Sequence, residues 1–184
     1  MRDTPEWLEQ ARSAWTHRGQ KRPSFALEPG AGQESVWDYP RPPAIVADGR
    51  SVTVTAASGA LLIETSRAVR VLETASPPTY YLPDEDLFDG ALEVTSGSSF
   101  CEWKGEATYL SVAGDPQSTP VAWRYDRPLA GFEQLLAHTA FYPARVQCTV
   151  DGEAVRAQAG GFYGGWVTDE IVGPYKGEPG TGSW

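Results

Sequence analysis

The chain has 184 residues, which suits one domain, and its 41% hydrophobic and 21% charged side chains provide for an ordinary core. A formal net charge of −9 repels a phosphate backbone and excludes nucleic acid as the expected partner. Two cysteines, Cys101 and Cys148, and two histidines, His17 and His138, lack the close pairs of a structural zinc site, so no metal or cofactor is expected.

The opening residues MRDTPEWLEQARSAW contain no apolar segment of signal-peptide type, and no run of about 18 apolar residues follows. The reading is a cytoplasmic protein with reduced cysteines and no membrane partner. Residues 5–17 predict one short amphipathic helix, with Trp7, Leu8, Ala11 and Trp15 at helical spacing, Thr4 as N-cap and Pro5 at the first helical position. Residues 18–43 form a polar, Pro- and Gly-rich arm ending in VWDYPRPP, whose prolines demand extended backbone and whose Trp37 and Tyr39 strap it to the body.

From Ala44 the pattern turns to strands. AIVA-DG-RSVTVT reads as a hairpin turned at Asp48-Gly49. ALLIET, AVRVLET, TYYLP, EATYLSVA and PVAWRY follow as short apolar or alternating strands. GFEQLLAHTA is the one internal helix expected, with Phe132, Leu135, Leu136 and Thr139 on one face. ARVQCTV-DG-EAVRA repeats the hairpin reading at Asp151-Gly152. The Gly-rich tail carries Phe162, Tyr163, Trp166, Tyr175 and Trp184, too many aromatics for a disordered end, and should lie on the body. The expected organisation is a helix and arm over 1–43, a mainly β domain over 44–158 and an aromatic strap over 159–184.

TSRAVRVLET, PPTYYLP, SSFCEWKGEATY, AWRY and AFYPARVQCTVDGE, taken in that order, resemble the DUF427 family. The resemblance runs from about Val46 to Val155, and the VWDYPRPP arm and GGFYGGW…VGPYKG tail look like extensions of its longer members. It implies a single compact β-tent, or Mss4-like, fold, related in shape to methionine sulfoxide reductase B and to the ligand-binding domain of cereblon. Relatives of that shape commonly hold zinc through two Cys pairs, which this chain lacks, and use one sheet face for small ligands, in some cases within an aromatic cage. Members are sometimes filed under a nucleotidyltransferase heading. That chemistry wants a Gly-Ser loop followed by two strand carboxylates around Mg²⁺, whereas here Asp84-Glu85-Asp86 precedes Gly97-Ser98-Ser99 and no phosphate-binding GxxxxGK[ST] occurs.

The residues give their own candidates. Cys101 is a nucleophile if a cation lowers its pKa, and otherwise a small buried hydrophobe. On a straight strand Cys101 and Lys104 point to opposite faces, and a turn at Trp103, eased by Gly105, would bring them together. Lys104 could pack its stem on Trp103 and hold an anion or, desolvated, act as a base or Schiff-base amine; the plain alternative is a solvated lysine. Arg67 and Glu73, six apart, share a face if one strand runs through both, as a salt bridge or a ligand grip. Trp123 and Tyr125 must face one way, only one of Tyr80 and Tyr81 can join them, and Phe141-Tyr142 offers the same choice. Core packing is the ordinary use of such rings, but buried phenols need partners.

The expectation is therefore a small-molecule pocket on the sheet, in a binding protein or an enzyme of unspecified reaction. Lys104, Glu73 and Cys101 would be its reactive groups, and Arg67, Tyr80 or Tyr81, Trp103, Trp123, Tyr125 and Tyr142 its binding surface. Two other expectations stand beside it: an interaction module or homodimer acting through the aromatic arm and strap, and nucleotidyl transfer at Asp84 and Asp86.

Overall fold

The computed structural model describes residues 5–115 and 119–184. Among these residues one helix, α1 (Glu6–Ser13), is followed by fifteen short strands. They are β1 (Glu34–Ser35), β2 (Ala44–Asp48), β3 (Val52–Thr55), β4 (Leu61–Thr65), β5 (Ala68–Leu72), β6 (Thr79–Pro83), β7 (Leu92–Cys101) and β8 (Gly105–Val112). After these come β9 (Ala122–Arg124), β10 (His138–Phe141), β11 (Gln147–Val150), β12 (Glu153–Ala154), β13 (Arg156–Ala157), β14 (Trp166–Val167) and β15 (Ile171–Val172).

The expected mainly β architecture is present. Seven strands form one sheet in the order β2-β5-β6-β10-β9-β8-β7, and four form a second in the order β12-β11-β3-β4. Val52, Val54, Leu62 and Ile63 of the smaller sheet pack against Tyr80, Leu82, Leu110 and Phe141 of the larger one and make the main core. The period of two then sends Val71, Tyr81, Ala107, Trp123 and Ala140 to the opposite face of the larger sheet, where they build a second apolar cluster. The strand patterns are therefore apolar on both faces, because this sheet is covered on both.

Two local expectations change and a third holds. Asp48-Gly49 is not a hairpin turn: β2 pairs with β5 at the edge of the large sheet, while β3 pairs with β4 and β11 in the small one. The Asp48 carboxylate takes hydrogen bonds from the Arg50 backbone N–H (3.0 Å) and side chain, which bends the chain from one sheet to the other. Asp151-Gly152 does close a hairpin, with both residues at positive φ (47° and 82°) and Val150 opposite Glu153. The expected internal helix is only a 3-10 turn, Glu133–Leu135; Ala137 at φ 56° ends it, and β10 inserts between β6 and β9. Thr139, Ala140 and Phe141 bury completely there, so sheet packing overrides a weak helical pattern.

At the N-terminus the helix starts one residue later than expected, with Pro5 in the capping position; Thr4 lies outside the described residues. Trp15 falls beyond the helix and joins the second apolar cluster. The arm and tail then hold each other: β1 runs parallel to β15, and Trp37 Nε1 donates to the Pro174 carbonyl at 3.1 Å. Trp166 is not a surface residue. It stacks on Tyr80 at 4.7 Å and donates Nε1 to the Phe141 carbonyl, so the strap is part of the main core.

Candidate functional site

The outer face of the large sheet carries a cavity of about 340 Å³. Val71, Tyr81, Trp123, Ala107 and Tyr109 form its floor, the last two on β8 with the side-chain period of a strand. Trp15 walls it from the N-terminal side, and Tyr163, Gly164 and Lys176 wall it from the strap. Gly164 is required in this wall: a Cβ there would overlap the Trp123 ring, so only glycine backbone lies this close.

Seven of the ten expected residues meet in this cavity: Lys104, Glu73, Cys101, Tyr81, Trp123, Tyr125 and Tyr142. Cys101 pairs with Gly105 across the β7–β8 hairpin, and the turn through residues 102–104 swings Lys104 round to the Cys101 side. Gly105 makes this possible at φ 104°, where a Cβ would press on Arg127 O and Leu129 Cγ at 3.3 Å.

Three expected residues lie elsewhere. Tyr80 faces the main core, where its hydroxyl accepts from Arg50 Nη2 at 2.6 Å. Arg67 sits outside the cavity on Glu85 and Asp86. The strand thought to run through Arg67 and Glu73 covers only Ala68–Leu72, so the two ends diverge and Glu73 meets Arg41 instead, at 3.2 Å. Trp103 is buried in the cluster beneath the site but does not line the cavity; the Arg12 guanidinium lies 5.2 Å from its ring centroid. The acidic trio forms a 3-10 turn in which Asp84 accepts from Thr139 Oγ1 and Asp86 from Thr65 Oγ1, each at 2.6 Å. Among the described residues no three or more His, Cys, Asp or Glu side chains converge as metal ligands would.

The aromatic wall is ordered by its polar edges. Trp123 Nε1 donates to Tyr81 Oη at 3.3 Å, and its ring lies 4.4 Å from that of Tyr142. Burial pushes the Tyr81 phenol up to about 12, with Lys104 opposing, and burial also raises Tyr125 and Tyr142. All three are neutral hydroxyls at pH 7.

The two lysines differ. Burial works against the charge of Lys104, but Cys101, Tyr81 and Glu73 outweigh it and raise its pKa above the ordinary lysine value. That direction favours the ammonium form of Lys104 over the neutral base or Schiff-base amine that the sequence also allowed. Burial and the Arg41 guanidinium have the upper hand at Lys176, and its pKa is lowered. Both carboxylates of the site are engaged: Glu73 by Arg41, and Glu102 Oε1 by Trp15 Nε1 at 2.7 Å. Neither lysine forms a salt bridge among the described residues.

Sequence reasoning missed Trp15, Glu102, Tyr109, Tyr163 and Lys176. Tyr109 was accessible, since it stands two residues from Ala107 on one strand. Glu102 lies between Cys101 and Lys104 in the β7–β8 turn, and Trp15, Tyr163 and Lys176 come from segments far away in the chain.

The family described as a domain of unknown function (DUF427) matches residues 44–152, more than half of the chain. No curated protein matches it. The matched span contains the cavity floor together with Cys101 and Lys104, and Trp15, Tyr163 and Lys176 are added from outside it. This chain belongs to the DUF427 family.

Proposed function

We propose that the protein binds a small, flat, anionic organic molecule in this cavity, as a binding protein or as an enzyme acting on that molecule. The observation that carries this reading is Lys104, a buried lysine that lines the cavity without a salt bridge among the described residues, in a pocket whose own carboxylates are engaged by Arg41 and Trp15. An acid group on the ligand pairs with Lys104, and the aromatic lining of Tyr81, Trp123, Tyr125 and Tyr142 offers apolar surface to a planar ring. The volume of about 340 Å³ suits a molecule of roughly a dozen or two heavy atoms. If chemistry occurs, Lys104 stabilises developing negative charge, Cys101 is the nucleophile and Glu73 the proton carrier. A reduced Cys101 fits the cytoplasm, and no helix among the described residues is long and apolar enough to cross a membrane.

The alternatives have less support. An interface built on the strap loses Trp166 to the protein's own core. Nucleotidyl transfer needs Asp84 and Asp86 free for metal, yet Thr139, Thr65 and Arg67 hold them outside the cavity. Saturation-transfer NMR with paired aryl carboxylates and aryl carboxamides tests the leading reading. Transfer to the acids, weak for the amides and abolished by Trp123→Ala, is expected; equal transfer to both members of each pair contradicts it.

A further inference from the structure

The chain carries twelve arginines but only three lysines, Lys21, Lys104 and Lys176, and two of the three line this cavity. Lys21 is exposed. Lys176 is held by its main chain: its N–H donates to Ala75 O at 2.7 Å, and its carbonyl accepts from Gln158 Nε2 at 2.6 Å. The side chain is 6% exposed, and its Nζ lies 3.7 Å from the Trp15 ring centroid and 5.5 Å from that of Tyr163. Among the described residues Nζ has no hydrogen bond or salt bridge.

The Arg41 guanidinium lies 4.2 Å from the same Trp15 ring, and it takes Glu73 for itself. Lys176 is therefore an amine in an aromatic box beside a second cation. Glu73, Glu102 and Cys101 favour its charge; burial and Arg41 oppose it and prevail. An enclosed amine with no hydrogen bond or salt bridge of its own, crowded by a second cation, is the arrangement that favours attack by a lysine on a bound carbonyl.

We propose that Lys176 is an imine-forming amine, whose Nζ condenses with the carbonyl group of an aromatic aldehyde or ketone whose acid group is held by Lys104. The Nζ lone pair attacks the carbonyl carbon, and the C=O π pair moves to oxygen. Nitrogen gives up its two protons to that oxygen, which leaves as water, and a C=N bond remains. No oxidant or reductant is needed. This inference rests on the reading of the cavity as a small-molecule site.

Reductive trapping tests it on the intact wild-type protein. The protein is treated at pH 7 with 4-formylbenzoate and sodium cyanoborohydride, digested, and its lysine peptides are followed by mass spectrometry. The reduced benzyl adduct should form on Lys176 at least about tenfold faster than on the exposed Lys21, because the site holds the aldehyde beside the amine, and excess benzoate should slow it. Modification of Lys176 no faster than Lys21, or led by Lys104, overturns the proposal. Benzoate quenching of tryptophan fluorescence in the same sample separates the two readings: a failed adduct with retained quenching removes only the imine, and failure of both removes the pocket.

Discussion

Charge at single residues divides the work between the two faces of the large sheet. Asp48 is a structural anion on the core side. Burial disfavours its charge, but hydrogen bonds from Arg50 and the nearby Arg70 outweigh this and hold its pKa below the usual carboxylate value. A depressed carboxyl contributes stability that is complete above its unfolded pKa of about 3.9 and is lost as pH falls through the folded value. Urea denaturation across pH 2–7 should therefore show an acid limb below about pH 4, and Asp48→Asn should flatten it while lowering stability at pH 7. On the thiols, burial pushes Cys148 well above its ordinary pKa, whereas Cys101 is half-buried at the cavity. Iodoacetamide should alkylate Cys101 in the native protein and reach Cys148 only in denaturant, as peptide mapping would read.

At the scale of elements, the strap is what turns a sheet face into a cavity. Trp166 fixes it to the core, and Gly164 lets its backbone lie against Trp123. Trp166→Ala should cost about 3–5 kcal/mol, the usual range for removing a buried tryptophan, measured by urea denaturation. Gly164→Ala should cost about 1–3 kcal/mol through overpacking and should also shift the Trp123 fluorescence, because its Cβ must displace that ring. The same scale explains what could be read in the sequence. Alternation along single strands sorted Tyr81 from Tyr80 and paired Trp123 with Tyr125, because side-chain direction has period two. It failed where direction depends on which strand is the neighbour. Asp48-Gly49 has hairpin composition, but β2 and β3 belong to different sheets, and Arg67 and Glu73 share a face only if β5 reaches both. The GFEQLLAHTA segment holds a helical pattern, but the central place of β10 in the sheet decided it.

For the whole molecule, the arm, the sheet and the strap are assembled around one cavity from residues as distant as Trp15 and Lys176. The matched family span supplies the floor and Lys104, and the two ends supply walls and Lys176. The contributions of Trp15, Tyr163 and Lys176 were not legible beforehand, since no local pattern encodes which sheet face a distant segment will cover. The central claim is that Lys104 supplies positive charge to an anionic, planar ligand. It is tested most directly by tryptophan-fluorescence titration of wild-type and Lys104→Met protein with a panel of aryl carboxylates. The expected result is saturable quenching in the wild type, weakened at least about tenfold in the variant, as loss of a charge-assisted contact requires. Quenching that never saturates in the wild type, or equal affinity in the two proteins, would contradict the claim.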